Sequence, residues 1–304
     1  MNPRVGIVGV GNMGGAIAAH LLETGWSVQV TDIDRARARA AEALGAHMCP
    51  DAAHAAAGCG ALIVCVVDSA QTEAVLFGAD GAASAMQPGS AVLLCPTIRP
   101  GDVEDFAARL QQRGILTIDA PMSGGPARAR DGSMSLMVAC ADGVFEPHRG
   151  LIEAMSSNVF RISSRPGDGA RTKLVNNILA GINLVGAAEA MAMAARMGLD
   201  LGTTLMVIER SSGQSWIGSD RLRRAIAGDV EPRAHMTLLQ KDTRLAVQAA
   251  RDANFEGPLG AAARDVFARA VECGMGALDD GALLKWLLDS GATEAASAAA
   301  SSGK

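Results

Sequence analysis

The stretch GDGARTKLVNNIL, residues 167–179, places one lysine and two asparagines in an otherwise apolar, helix-forming segment. Positions three and four residues apart share a helix face, so Lys173 and Asn177 are predicted to lie one turn apart, with Asn176 at their edge. A lysine in such a position could take part in proton transfer, because its amine can give up and take a proton. The apolar residues at the remaining positions are expected to pack: Leu174, Val175, Ile178 and Leu179.

Lysine is scarce in this chain. Of the 27 basic residues only four are lysine, at positions 173, 241, 285 and 304. Burial lowers the pKa of a lysine amine, whereas a guanidinium stays charged, so lysine suits a position where a proton must move. Lys173 and Lys241 therefore invite a chemical explanation, although composition alone leaves chance retention open.

The segment GVGNMG contains Gly9, Gly11 and Gly14 in a G-x-G-x-x-G pattern, with Asn12 and Met13 between them. It follows a strand-like run and opens a helix-like one. In this context the pattern predicts a dinucleotide site, because the glycines allow a tight turn, a close approach of the pyrophosphate and close helix packing. The alternative is a plain strand-to-helix turn.

Asp32 ends the second predicted strand, about 20 residues beyond the glycines, where a carboxylate accepts hydrogen bonds from ribose hydroxyls and repels a 2′-phosphate. This position favours NAD over NADP. Arg35 and Arg37 follow closely and offer an alternative as phosphate ligands. We expect them instead to be solvated residues on an exposed helix.

Strand-like and helix-like segments alternate up to about residue 165, which predicts a parallel sheet with helices on both faces. Residues 134–163 could add antiparallel or edge strands. Only helical patterns follow, so the expected fold is α/β: a Rossmann-type dinucleotide-binding domain followed by an all-α domain. The expected boundaries are 1–165 for the NAD-binding domain, 166–292 for a helical substrate and dimerisation domain, and 293–304 for a flexible tail.

Composition narrows the function classes. The 304 residues suffice for two domains, and 49% hydrophobic with 19% charged residues describes a compact protein. A net charge of -5 gives no electrostatic case for nucleic acid or anionic membrane. We saw no apolar run long enough to span a membrane and no signal-peptide pattern. Six cysteines without a CxxC pair are expected to be buried, reduced thiols in a cytoplasmic protein. The five histidines show no metal-ligand spacing.

The chain resembles the β-hydroxyacid dehydrogenases, a family within the 6-phosphogluconate dehydrogenase superfamily that includes 3-hydroxyisobutyrate, threonate and tartronate-semialdehyde enzymes. Four stretches carry the likeness in the family's order: GIVGVGNMGGAIAAHLL, DAPMSGGPARARDG, GDGARTKLVNNIL and KDTRLA. The likeness implies an NAD-dependent dehydrogenase of a small hydroxy acid. The full-length pattern looks most similar to the threonate branch.

The resemblance also implies roles for single residues. Ser123, Gly124 and Gly125 match the segment that holds the substrate carboxylate, and two exposed glycine N–H groups with a serine hydroxyl suit an anion. Lys173 matches the catalytic lysine and Asn177 its partner at the substrate. The cofactor-binding positions implied by the glycine pattern and the family together are Gly9, Gly11, Asn12, Met13, Gly14, Asp32, Thr97 and Lys241.

The sequence leaves two alternative functions open. Imine reduction uses the same scaffold, but such relatives typically replace the lysine that is present here as Lys173. A protein that binds NAD without turnover would need no such lysine. Asp242 is expected to form a structural salt bridge or cap, and Ser212–Trp216 either to face the substrate or to be an ordinary loop with a packed tryptophan. The apolar segment LAGINLVGAAEAMAMAARMG predicts a homodimer or homotetramer.

Overall fold

The computed structural model describes residues 4–229 and 231–289. The expected tail, 293–304, lies outside this part. Strands and helices alternate through the first half, and only helices follow. The strands are β1 Arg4–Val8, β2 Ser27–Thr31, β3 His47–Met48, β4 Ala61–Val64, β5 Ala91–Leu94, β6 Leu116–Asp119, β7 Met122–Ser123, β8 Ser135–Ala139 and β9 Asn158–Ser163.

The helices have these bounds: α1 Asn12–Glu23, α2 Arg35–Ala43, α3 Ala52–Ala56, α4 Ser69–Phe77, α5 Pro100–Gln111, α6 Gly125–Arg130, α7 Asp142–Met155, α8 Asp168–Arg196, α9 Leu201–Glu209, α10 Trp216–Ile226, α11 Met236–Asp252 and α12 Pro258–Ala270. Short 3₁₀ turns cover Ala82–Ser84 and Asp280–Ala282, and a wider turn covers Val271–Met275. A last helical segment runs from 283 to 289.

Side chains define where several helices begin. Asp34, Asp51, Asp68, Asp200 and Ser215 each accept a backbone N–H from the first turn of the helix that follows them. These side chains satisfy donors that have no partner inside the helix. Prolines occupy the first turns of α5, α6 and α12, where a missing N–H costs little.

The strands form one sheet in the order β3-β2-β1-β4-β5-β6-β8-β7, with β9 paired to β8. From β3 to β6 all pairs are parallel, whereas β8 runs antiparallel to β6 and β7. Ile7 and Leu93 enter one apolar core, and Val8 and Leu94 enter another, so both faces of the sheet are covered. The predicted fold class is confirmed, and residues 134–163 supply the antiparallel and edge strands.

The chain divides into two compact units after Lys173. The first turn of α8 belongs to the first unit, where Ala170 is buried in a core with Ile98 and Val103. The second unit holds the rest of α8 and the later helices around a core of its own that includes Leu184 and Phe267.

Helix α8 is long and apolar enough to cross a membrane by length and composition alone, because its best window has a mean hydropathy of 1.6. The expectation that no such segment exists was wrong by these two measures. The same helix carries the buried polar residues Lys173 and Asn177, and Leu184 and Met191 lie in the core of the second unit. A mostly buried core helix of a protein without a membrane meets the same test, and 33% of this window is buried.

Candidate functional site

The glycine loop after β1 has the geometry that a dinucleotide needs. Gly9 has φ +88°, in the left-handed region that favours glycine. A Cβ on Gly14 would lie 1.9 Å from the carbonyl oxygen of Gly9, so α1 can pack this closely only through a glycine. No side chain caps the start of α1 at Gly11, and no acidic residue occupies its first turn. The positive helix end is therefore suited to a pyrophosphate, and the loop fits the cofactor.

Asp32 lies beside this loop, directly after β2. Its Oδ2 accepts a hydrogen bond from the Val10 N–H at 2.7 Å, and its Oδ1 accepts one from the Asp34 N–H at 2.8 Å. A carboxylate has about four acceptor positions, so these two bonds fix its orientation and leave room for hydroxyl donors.

The two arginines behind Asp32 differ in position. Arg35 points its Nη1 toward the carbonyl oxygens of Cys49 and Pro50, at 3.4 and 3.5 Å. The Nη1 of Arg37 lies 2.9 Å from the position that a Cβ on Gly11 would occupy, and its Nε lies 3.3 Å from the Asp34 carboxylate. Only Arg37 is therefore placed beside the glycine loop. Both arginines are exposed residues of α2, as expected, and Arg37 in addition lies within reach of the loop.

The carboxyl ends of β1, β2, β5 and β6 meet at one edge of the sheet because these strands are parallel. Gly9, Asp32 and Thr97 each follow one of these strands, and Asp119 ends β6. This edge is where open α/β sheets bind ligands.

The predicted carboxylate segment continues from the same edge. Ser123 is half-buried in the two-residue strand β7, whose pairing with β8 is Met122 to Leu136 and Ser123 to Ser135. Gly124 and Gly125 follow with φ of +133° and +75°. Two successive left-handed residues create the kind of concave backbone that binds anions, and side chains other than glycine would be strained there.

Lys173 is 8% exposed, and it lies in the second turn of α8. The helix begins against Asp119, whose Oδ2 accepts hydrogen bonds from the N–H groups of Gly167 at 2.8 Å and Ala170 at 3.1 Å. Burial raises the pKa of Asp119 to about 6, although these backbone donors act in the opposite direction. The structure thus holds the lysine helix at its N-terminus through a buried carboxylate.

Asn177 belongs to a polar cluster within the second unit. Its Nδ2 donates to Asp242 Oδ2 at 2.6 Å, and its Oδ1 accepts from Asn176 Nδ2 at 2.9 Å. Lys241 Nζ lies 3.0 Å from Asp242 Oδ1. This last contact is an ion pair without good hydrogen-bond alignment, because Oδ1 has no hydrogen-bond partner by geometry. Asp242 thus makes the predicted salt bridge and also holds Asn177.

Other expectations need correction. Val175 and Leu179 are 70% and 57% exposed, so they do not pack within the chain as expected. Trp216 is 44% exposed and begins α10, so the alternative of a loop with a packed tryptophan was wrong. All six cysteines are free, but Cys65 is only partly buried and Cys273 is exposed.

Within residues 4–229 and 231–289, no group of three or more His, Cys, Asp or Glu side chains is arranged to hold a metal ion. The sequence interpretation assigned no role to Asp119 and none at the substrate to Asp242, and it did not distinguish Arg37 from Arg35. A signal for Asp119 was present, since an acid that ends an apolar strand just before the serine-glycine segment is an unusual core residue.

Comparisons with known proteins identify the family of both parts of the chain. Residues 4–163 match the model of the NAD binding domain of 6-phosphogluconate dehydrogenase, and residues 167–287 match that of the NAD-binding part of NADP-dependent 3-hydroxyisobutyrate dehydrogenase.

Among individual proteins, L-threonate dehydrogenase of Cupriavidus necator is 37% identical over 94% of this chain and 96% of its own. The 3-hydroxyisobutyrate dehydrogenase of Pseudomonas aeruginosa is 30% identical over 86% of this chain and 90% of its own. The crystal structure of 3-hydroxyisobutyrate dehydrogenase from Salmonella typhimurium superimposes with a TM-score of 0.88 at 36% identity, covering 93% of this chain and 99% of that one. The predicted family is thereby confirmed: the chain belongs to the β-hydroxyacid dehydrogenases, NAD-dependent oxidoreductases that transfer hydride between a small hydroxy acid and the nicotinamide.

Proposed function

We propose that this enzyme oxidises a threonate-like or 3-hydroxyisobutyrate-like acid, with Lys173 as the general acid and base. The observation that supports the role of Lys173 is its burial beside Asn177. Both side chains are more than 90% buried, and they lie one turn apart on α8. Buried lysines are rare unless a function or a partner retains them.

In the proposed reaction the hydrogen on the alcohol carbon of the substrate leaves as hydride. The proton of the substrate hydroxyl group passes to the neutral amine of Lys173. Bound NAD supplies the hydride acceptor. In the reverse direction the ammonium of Lys173 returns the proton to the carbonyl oxygen as it is reduced. Asn177 holds the substrate oxygen or orients the amine, and Ser123, Gly124 and Gly125 hold the carboxylate.

For the cofactor we propose contacts from Gly9, Gly11, Asn12, Met13 and Gly14 to the pyrophosphate, because these residues form the glycine loop and the uncapped start of α1. Asp32 binds the adenosine ribose. Thr97 and Lys241 complete the set by family likeness. Ile33, which is 95% exposed next to Asp32, offers an apolar surface to the adenine ring.

The experiment compares Lys173→Ala and Lys173→Arg with the wild type, measuring NADH formation over a panel of three- and four-carbon hydroxy acids. We expect Lys173→Ala to lower kcat by ~10²–10⁴ with nearly unchanged NADH binding by fluorescence titration. Lys173→Arg should not restore activity, because a guanidinium does not release its proton near neutral pH. Lys285→Ala, which removes an exposed lysine, is the matched control and should behave as wild type.

Three results would contradict the proposal. Recovery of most activity by Lys173→Arg would mean that the residue acts only as a fixed positive charge. Loss of folding in Lys173→Ala with no specific kinetic defect would mean that the lysine is structural. Binding of NAD without turnover of any acid would favour a non-catalytic dinucleotide-binding protein.

The substrate class rests on the relatives rather than on a contact. The L-threonate dehydrogenase of Cupriavidus necator is 37% identical to this chain, against 36% and 30% for the 3-hydroxyisobutyrate dehydrogenases of Salmonella typhimurium and Pseudomonas aeruginosa. We therefore expect kcat/KM to be higher for L-threonate than for 3-hydroxyisobutyrate. A clear preference for tartronate semialdehyde in the reducing direction would instead support the alternative of a small semialdehyde reductase.

We also propose that the chain forms a homodimer or homotetramer through α8. Val175, Leu179, Met193 and Met197 are 70%, 57%, 61% and 66% exposed. Eighteen residues make five helical turns, so Met193 shares a face with Val175, and Met197, directly after α8, continues the face of Leu179. Exposed apolar residues near both ends of one long helix favour a self-interface, and a second copy of the chain is the proposed occupant.

Light scattering should therefore give at least twice the chain mass of 31.1 kDa. Leu179→Glu combined with Met193→Glu should shift the protein toward the monomer, and a monomeric wild type would contradict the proposal. We propose a cytoplasmic location, which the six free cysteines support. As functional domains we propose residues 1–165 for NAD binding and 166–292 for substrate and self-association.

A further inference from the structure

Asp119 is a buried carboxylate that the reaction as proposed above does not use. It is 1% exposed and ends β6, and the chain continues from it through Ala120 and Pro121 into the Ser123 segment. Its hydrogen bonds run to the backbone of residues 167–170, which form the start of α8. One side chain thus ties the segment proposed to hold the substrate carboxylate to the helix that carries Lys173.

The start of α8 needs such a partner because it has no capping side chain of its own. The residue before the helix is Gly167, with φ +100°. The N–H groups of Gly167, Gly169 and Ala170 all reach the carboxylate of Asp119. The first N–H groups of a helix lack partners within the helix, and a negative charge near them is favourable. Asp119 therefore performs the task of an N-cap residue from a distant position in the sequence.

The fit at this contact is tight. A Cβ on Gly169 would lie 2.9 Å from the carboxyl carbon and from both oxygens of Asp119. Gly169 and Lys173 are four residues apart and share a helix face. The carboxylate therefore contacts the helix face that carries Lys173, one turn before it, at a rise of about 5.4 Å per turn.

We propose that Asp119 is a positioning residue for Lys173, which sets where the lysine amine lies relative to the Ser123 segment. This inference rests on the proposed role of Lys173. Asp119 itself carries no proton in the reaction, because its described partners are all backbone N–H groups. When its carboxylate is lost, three helix donors lose a charged acceptor and the first turns of α8 shift. A displacement of about 1 Å at a reacting group costs about 10²-fold in rate.

The test is Asp119→Asn, which keeps the shape but removes the negative charge and replaces one of the two acceptor oxygens with an NH₂ group. We expect kcat to fall by about 10- to 100-fold, with little change in the Kd of NADH. The solvent deuterium isotope effect on kcat should rise, because proton transfer to a misplaced lysine becomes slower than the other steps. A smaller fraction of folded protein would lower kcat without changing this isotope effect.

Gly169→Ala is the second variant, and it displaces the same carboxylate from the helix side. It should reproduce the kinetic defect, and it decides the question if Asp119→Asn does not fold. Thr117→Val is the matched control. Thr117 lies two residues earlier on the same strand, is buried, and has a hydroxyl without a hydrogen-bond partner. Its replacement should leave kcat and the isotope effect unchanged.

Lys173→Ala is measured in parallel to separate two failures. If Lys173→Ala keeps the wild-type kcat, the proposed function fails. If Lys173→Ala is inactive while Asp119→Asn or, where that does not fold, Gly169→Ala keeps kcat and the isotope effect of the wild type, only the positioning role is overturned. A lower melting temperature with an unchanged isotope effect also overturns it, because Asp119 would then be purely structural.

Discussion

Asn177 donates a hydrogen bond of 2.6 Å to Asp242, and this bond fixes which end of the amide faces the carboxylate. The reverse orientation would place the amide oxygen against a carboxylate oxygen. The Oδ1 of Asn177 accepts from Asn176 instead, and Lys241 balances the charge of Asp242. The orientation of Asn177 is therefore determined by a residue 65 positions away in the sequence.

The first prediction concerns this bond. Asp242→Asn allows the Asn177 amide to turn over, so we expect kcat/KM for the hydroxy acid to fall by about tenfold or more, about 1.4 kcal/mol. Steady-state kinetics measure the effect. Asp252→Asn changes an exposed aspartate on the same helix and should have no effect. Equal kinetics in the two variants would mean that Asp242 does not orient Asn177.

The second prediction concerns cofactor preference. Asp32→Asn removes the negative charge that repels a 2′-phosphate, a repulsion worth ~1 kcal/mol at ~4 Å even in water. We expect kcat/KM with NADP to rise relative to NAD. Arg37 lies beside the glycine loop, so adding Arg37→Ala should cancel this gain, whereas adding Arg35→Ala should not. A wild type that prefers NADP would overturn the assignment of Asp32.

The third prediction concerns a buried ion pair in the second unit. Arg221 Nε lies 2.6 Å from Asp280 Oδ1, and their side chains are 12% and 2% exposed. Arg221→Met leaves a buried carboxylate without its partner, which should cost about 3–5 kcal/mol of the free energy of unfolding. Arg223→Met removes a 70% exposed side chain from the same helix and should cost ~1 kcal/mol or less. Chemical denaturation compares the two, and similar losses would refute the prediction.

The fourth prediction is a pH dependence of stability. Burial raises the pKa of Asp119 to about 6 from its ordinary 3.8, and Asp168 acts in the same direction. The carboxyl group of Asp119 therefore binds its proton more tightly in the folded protein than in the unfolded chain. The resulting stabilisation is complete below about pH 4 and is lost as the pH rises through about 6.

The Asp119→Asn variant has no carboxyl group at this position and therefore does not titrate there. A shift of about two pKa units corresponds to ~3 kcal/mol. Relative to that of the wild type, the free energy of unfolding of the variant should therefore rise by up to this amount between pH 4 and pH 7. Denaturant unfolding measures the difference. The pKa of Asp280 is also raised to about 6, but that group is present in both proteins and cancels in the difference. A difference that does not vary with pH would contradict the assigned pKa shift.

Most of the fold could be predicted from patterns that are local in the sequence. The alternation of apolar runs and helix formers identified seven of the nine described strands, but β3 and β7 have two residues each and leave no periodic signal. Helix α10 was missed because its start contains small polar residues that are equally common in loops. Its Ser215 is an N-cap, which becomes evident only when the helix that follows is known.

The site residues also fall into two groups, those that belong to a local sequence pattern and those whose partners are distant in sequence. Gly9, Gly14 and Asp32 belong to a pattern whose physical requirements act within one βαβ unit, so spacing alone indicated them. Asp119 and Asp242 were assigned no such role because their partners are distant in sequence, at residues 167–170 and at Asn177. Contacts of that kind appear only once the chain is folded.

The short strand β7 makes folding of the first unit depend on a later part of the chain. Ser123 lies in β7, whose pairing is with β8, and β8 begins at Ser135 and pairs in turn with β9 as far as Ser163. The glycine loop is bordered by β1, β2 and β4, which are complete by Val64. On the ribosome, these three strands therefore emerge before the partner strand of the Ser123 segment. A nascent chain that ends before Ser135 would contain the strands around the glycine loop and would leave the Ser123 segment without the strand that it pairs with.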